Sequence, residues 1–139
     1  MARRTAFLYD DRMSHHVLSD SHPMRPIRLK YTHDLLQGYG AFDAENSRLA
    51  SSRFATENEA LSYHTPEYIE AVRALGSGHS SMNPAAHNFG PGDNPPYEGM
   101  YDAAMLSTGS SVQAAEMLIF DEVDAAFSIS GGLHHAMPN

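Results

Sequence analysis

The stretch from Tyr97 to Phe120 most restricts what this chain can fold into. Tyr97, Met100, Tyr101, Ala104, Met105, Val112, Ala115, Leu118 and Ile119 recur at spacings of three and four, the period of an α-helix with one buried face. After Asp121 and Glu122 comes VDAAFSIS, in which Val123, Ala125, Phe127 and Ile129 alternate with mostly small residues. A strand buried on both faces is expected there. A long helix delivered straight into such a strand is the unit of α/β architecture, whose strands pair in parallel. Gly109 interrupts the helix at a cost of about 1 kcal/mol relative to alanine, so a close packing contact is expected at that point.

The rest of the chain fits this scheme. Thr5 to Tyr9, TAFLY, is a short apolar run stopped by Asp10 and Asp11, which predicts a first buried strand. From Pro26 the apolar residues Ile27, Tyr31, Leu35 and Tyr39 recur every four positions, ending at Gly38 and Gly40. That pattern predicts an amphipathic helix with proline in its first turn. Phe42 to Ser52 is polar and irregular, a surface loop by composition, and SRFA after it has the character of a brief extended piece. Thr56 with Glu59 forms a capping box before NEALSYH. Thr65-Pro66 starts a further helix that ends near Leu75-Gly76, with Ile69, Val72 and Leu75 inward. Gly76 to Pro96, rich in glycine and proline, is a long loop of the kind that is usually functional or mobile. At 139 residues and 42% hydrophobic content, one domain over 1–139 with a single core is expected.

Composition removes several functions. Nine Lys and Arg against 17 Asp and Glu give a net charge of -8, so no direct attraction to nucleic acid or to anionic membranes is expected. There is no cysteine, which excludes disulfides, cysteine zinc fingers and thiol nucleophiles. No apolar run approaches about 20 residues, and MARRTAFLYDDRM lacks a signal-peptide core. A cytoplasmic location is the expectation.

Three stretches can carry chemistry. In ISGGLHHAMPN, Gly131 and Gly132 sit where the predicted last strand ends, the place where open α/β sheets form sites. The adjacent His134 and His135 can act as a general base and its electrostatic or acid partner, or they are a polar tail. In GPGDNPPYEG, Asp93 is either held outward to accept a ligand's backbone amides or it opens a turn or caps the next helix. In HPMRPIRLKYTHDLL, Arg25 and Arg28 lie at a helix start, where a cation opposes the dipole and suits an anionic partner. Arg25 suits the surface, and Arg28, beside Ile27, suits an inward position. His15, His16 and His22 lie near one another without a carboxylate at ligand spacing, and His33, His64, His79 and His87 suit packing or surface roles.

Taken in order, HPMRPIRLKYTHDLL, YHTPEYIEAV, GDNPPYEGMYDAAMLSTGSSVQAA and SGGLHHAMP resemble the N-terminal part of the histone deacetylase family, the zinc-dependent deacetylases that include bacterial acetoin-utilisation proteins. The resemblance covers nearly the whole chain. It implies a parallel-sheet, arginase/deacetylase-like α/β fold, of which only the N-terminal part is present, and hydrolysis of acyl-lysine amides by a metal-bound water. It makes His135 the general base and His134 its partner, and Asp93 the rim aspartate that holds the substrate backbone. Gly132 becomes the glycine that lets the acyl-lysine channel approach, and Arg28 lines an internal channel behind the site.

The family's metal ligands, an Asp-x-His and a later Asp, and its transition-state tyrosine come after the histidine pair and have no counterpart here. Zinc belongs to the full-length family and lowers its water's pKa toward about 7. This chain alone is therefore expected to bind no catalytic zinc and to be inactive as a deacetylase, the simplest account being a truncated frame or fragment. A sheet lacking later strands exposes an edge and the apolar flank of Val123 to Ile129, so a homo-oligomer is expected. The alternative is a non-catalytic oligomerising or interaction module derived from the same fold, and a His-rich metal-binding protein, resting on nine histidines without ligand spacing, is the weakest reading. Protein lysine, acetylated polyamine and other small acylated amines all stand open as substrates.

Overall fold

The computed structural model describes residues 2–78 and 81–132. Three parallel strands form one sheet in the order β2-β1-β3, with β1 at Thr5–Tyr9, β2 at Ser47–Ser51 and β3 at Ala125–Ser128. Thr5 stands opposite Ser47 on one side and Ala125 on the other, and Phe7 opposite Leu49 and Phe127. Helix α1 (Ile27–Gly38) connects β1 to β2, while α2 (Glu57–Leu61), α3 (Pro66–Gly76) and α4 (Met100–Ile119) lie between β2 and β3.

Alternation along β1 divides the core. Ala6 and Leu8 pack with Ala114 and Met117 of α4 and with Val123, whereas Tyr9 joins Met13, Leu29 of α1 and Leu106, with Phe7 and Ile129 against them. A third cluster, Leu75, Phe89 and Met100, ties α3 and the long loop to α4. The α/β class and parallel pairing expected from the sequence are thus observed.

Local signals are met where they are satisfied locally. The Thr56 hydroxyl accepts from the Glu59 N–H, and the Glu59 carboxylate accepts from the Thr56 N–H, completing the capping box of α2. Thr65 accepts from Tyr68 N–H with Pro66 in the first turn of α3. Gly109 lies against the main chain of Arg53 to Ala55, where a Cβ would collide, so the close contact expected there is present.

Three expectations need correction. The second strand is Ser47–Ser51, inside the stretch expected to be loop, and SRFA is not a strand. Only Leu49 and Ala50 are apolar in β2, which is held by its ladder to β1 rather than by alternating burial. In α1 the stripe Ile27, Tyr31, Leu35 and Tyr39 faces outward, from 37% exposed at Ile27 to 80% at Tyr39. The inward line is Leu29, His33 and Leu36, with the His33 ring stacked on Tyr9 at 4.3 Å. The last strand is not buried on both faces either. Val123 is buried beside α4, but Phe127 is 58% exposed because β3 is an outer strand whose other face has little cover among the described residues.

Candidate active site

Parallel pairing brings the carboxyl ends of β1 and β3 to the same edge of the sheet. Beyond β1 the chain turns through a short 3-10 segment, Asp11–Ser14, to His16, and beyond β3 it runs through Ser130 to Gly131 and Gly132. Both exits meet at a cavity of about 280 Å³, which the 88–97 loop and helices α3 and α4 complete. Tyr68, Phe89, Tyr97 and Met100 give it apolar walls, and its polar members include His16, His64, Asn94, Ser107, Thr108 and Ser130.

The aromatic walls are ordered by stacking. His16 lies on Tyr97 with ring centroids 5.5 Å apart and planes 12° from parallel, and His64, Tyr68 and Phe89 form a second stack. Burial pushes the Tyr97 hydroxyl up to about 12, so it remains a neutral donor at physiological pH. The Nδ1 atoms of His16 and His64 are buried without a hydrogen-bond partner among the described residues. Burial also pushes the His16 imidazole below its ordinary value, because desolvation disfavours the cation.

A pH dependence results from that direction. Above about pH 6.5 His16 is neutral folded and unfolded. As the pH falls below that value the unfolded chain takes the proton first, so stability declines. We expect His16→Phe, which keeps a ring against Tyr97, to lose less stability than the parent between about pH 7.5 and about pH 5.5 in urea titrations. Equal losses would count against the assignment.

Asp93 precedes Asn94, which lines the cavity, and is not itself part of the lining. Its side chain is exposed, and its loop is pinned from behind by His22, which is only 8% exposed. The N–H of Met24 donates to His22 Nδ1 at 3.0 Å, so Nε2 carries the ring proton and donates to the Asp93 carbonyl at 3.4 Å. The Asn94 side-chain amide donates to the Asn88 carbonyl, and Gly90 N–H to the Asn94 carbonyl, while Gly92 takes the left-handed φ of +104° that the turn requires. Asp93 does not cap the next helix, whose N-cap is Gly99 without a side-chain bond.

Gly132 is exposed beside the cavity, and a Cβ there would meet open space. Arg28, expected to point inward, is exposed. The buried face of α1 is centred on Leu29, one residue and about 100° further round. Arg28 has no carboxylate partner among the described residues. Arg25 is also exposed and donates to the Asp20 carbonyl at 3.0 Å, the surface role expected of it. His134 and His135 lie outside the described residues.

Among the described residues no three His, Asp or Glu side chains converge to hold a metal ion, and no helix is long and apolar enough to cross a membrane. The pairing of His16 with Tyr97 is invisible in the sequence because nothing local links them. The HPM triplet did carry a signal for the His22 bond, since proline fixes the turn that returns Met24 N–H to the ring.

Comparison with known proteins gives this site a setting. Residues 22–139 match the histone deacetylase domain. The chain is 31% identical over 136 residues to histone deacetylase RPD3 of Saccharomyces cerevisiae, covering 96% of the chain and 31% of that protein. It is 30% identical to type-1 histone deacetylase 1 of Dictyostelium discoideum, covering 96% of the chain and 27% of that protein. The figures for histone deacetylase 1 of Homo sapiens are 31% identity, 96% and 28%. The chain therefore spans about a third or less of the curated relatives it matches.

Proposed function

The chain belongs to the histone deacetylase family, and on that premise we propose that it carries the substrate-facing part of an amide hydrolase for acylated lysine or a related acylated amine. The observation that supports this best is the meeting of both strand exits and the Asp93 loop around one apolar, aromatic cavity. Such a lining suits an acyl chain and its methylene stem. In this reading the exposed Asp93 carboxylate accepts the substrate's backbone amides, and Gly132 leaves room for the acyl-lysine stem. His135 serves as general base with His134 as its partner.

The family's zinc would need donors from beyond the described residues, which gather no set of three. We therefore expect the 139-residue polypeptide alone to bind no zinc tightly and to release no acetate from an acetyl-lysine peptide. Elemental analysis together with a peptide assay measures both. Stoichiometric zinc with turnover would sink the expectation of inactivity, and an acetyl-lysine peptide that leaves the resonances of the Asp93 loop unmoved would sink the substrate assignment.

A second reading, an oligomerising or interaction module, is favoured by Phe127, which stands exposed on an outer strand, and by the outward stripe of α1. Unpaired strand edges and contiguous apolar surface promote association, so a homo-oligomer is part of the proposal under either reading. Its setting is the cytoplasm, and its acidic charge favours protein or small-molecule partners over direct nucleic-acid contact. Light scattering is expected to give at least a dimer that Phe127→Lys converts to monomer. A parent that is monomeric at high concentration would refute it.

A further inference from the structure

Strand β2 is an outer strand of the sheet, and its peptide groups alternate in direction. Thr5 N–H donates to the Asn46 carbonyl and Thr5 stands opposite Ser47, so in this parallel ladder the main-chain groups of Asn46, Arg48 and Ala50 face β1. Those of Ser47, Leu49, Ser51 and Arg53 face outward. Both ends of the outward row are closed from within the chain. Ser47 N–H donates to the Ala44 carbonyl at 2.9 Å. At the other end the Gln113 side-chain nitrogen, from α4, donates to the Ser51 carbonyl at 3.1 Å, and its oxygen accepts from Arg53 N–H at 3.0 Å. Between these ends the N–H groups of Leu49 and Ser51 and the carbonyls of Ser47 and Leu49 have no hydrogen-bond partner among the described residues.

Gln113 also gives the open row a direction. In a parallel ladder a residue donates to one carbonyl of its neighbour and accepts from the N–H two residues further on, as the Gln113 amide does with Ser51 and Arg53. The side chain stands in for one rung of a further parallel strand. Three residues continuing that ladder toward Ser47 would use every open group: the first donates to the Ser47 carbonyl and accepts from Leu49 N–H, and the third donates to the Leu49 carbonyl and accepts from Ser51 N–H. An antiparallel strand on the same groups would bring a carbonyl up to Ser47 N–H, which is already engaged. A two-fold copy of this chain would pair β2 with itself antiparallel, so the edge suits a different occupant.

The first and third side chains would fall beside Arg48 and Ala50, on the face where Ala6 and Leu8 meet α4. An open groove of about 520 Å³ lies there, with Met117 and Phe120 among its apolar members and Arg48, Glu116 and Glu122 as its charged ones. Gln113 is bonded at the Ser51 end and Glu122 to Arg48 at the other, which puts Phe120, 71% exposed, toward the first position and Glu116 toward the third. The second side chain would stand beside the exposed Leu49 on the opposite face. Two carboxylates against one guanidinium favour a cation. We propose that the β2 edge takes an extended peptide of another protein as an added parallel strand, with an apolar side chain first, against Phe120, and a cationic one third, beside Glu116.

The probe is the blocked tripeptide acetyl-Leu-Val-Lys-amide, titrated to millimolar concentration into the nitrogen-labelled full chain. Downfield movement of the Leu49 and Ser51 amide protons is expected, saturating with a Kd on the order of 1 mM. The same peptide N-methylated at its leucine and lysine nitrogens lacks the donors for the Ser47 and Leu49 carbonyls and is expected to bind about tenfold more weakly or worse. A nitroxide on the peptide's carboxyl end is expected to broaden the Gln113 side-chain amide more than Ala44 N–H. Leu49 and Ser51 amides that stay in place, equal binding by the N-methylated peptide, or broadening greatest at Ala44 would each overturn the proposal. So would movement of the same two amides on raising the protein concentration alone, which would assign the edge to a second copy.

Discussion

Replacing Gly109 with alanine is expected to destabilise the fold by about 3 kcal/mol or more, lowering the melting temperature by on the order of 10 °C. A methyl group at that position would strike the main chain of Arg53, Phe54 and Ala55. The obstacle is backbone, which cannot rotate aside as a side chain can. The segment is also tied down, since Ala55 N–H donates to the Met105 carbonyl at 2.8 Å and Arg53 N–H to the Gln113 side chain at 3.0 Å. Alanine would gain about 1 kcal/mol of helix propensity over glycine, which the collision outweighs. Thermal melts followed by circular dichroism measure the balance, and a variant as stable as the parent would show that the 53–55 segment yields.

Arg53→Met is expected to cost on the order of 1 kcal/mol in urea denaturation. The guanidinium holds Glu59 through two bonds of 3.0 and 2.7 Å and both oxygens of Glu116 at 3.1 Å, linking the capping box of α2 to α4. The arginine side chain is 34% exposed, so solvent screening keeps the figure below that of a fully buried pair. Arg53, reinforced by the Thr56 N–H, holds the Glu59 carboxyl down to about 2. Because the folded value is depressed, the stabilisation is present above the ordinary value of 4.5 and is lost as the pH falls from there through about 2. Arg53→Met should therefore flatten the acid limb of the stability curve. An unchanged limb would mean that Arg53 is not what holds Glu59 ionised.

The parts of this fold that were legible in the sequence are those decided within a few residues. The TAFLY strand, the caps at Thr56 and Thr65 and the strained requirement at Gly109 arise from period, hydrogen-bond chemistry and size. Strand β2 was not legible, because SRLAS is a strand only by virtue of pairing with β1. On α1 two apolar lines compete, and the chain buries Leu29 and Leu36 with a histidine between them, since His33 finds the face of Tyr9. The sequence left Asp93 either held outward or opening a turn or cap; its side chain is exposed, it does not cap α4, and His22 bonds the carbonyl of its loop. Ser107 with Ser110, and Ser128 with Ser130, stand at helix and strand spacings that put each pair on one face. That Ser107 and Ser128 both donate to the Ser130 carbonyl needed the third dimension.

The central position of β1 also sets a timetable for synthesis. Arg4, at the head of that strand, grips Asp121 and Asp124 through its guanidinium, and the Arg4 N–H meets an Asp124 oxygen 120 residues away. At about ten residues per second on the ribosome, β1 waits on the order of ten seconds for β3, with one edge bare throughout. So distant a closure slows folding, and during that interval an apolar strand such as TAFLY is open to pairing with other nascent chains. The Arg4 clasp forms only after Asp121 and Asp124 have been made, so the two ends of this sheet are joined late in synthesis.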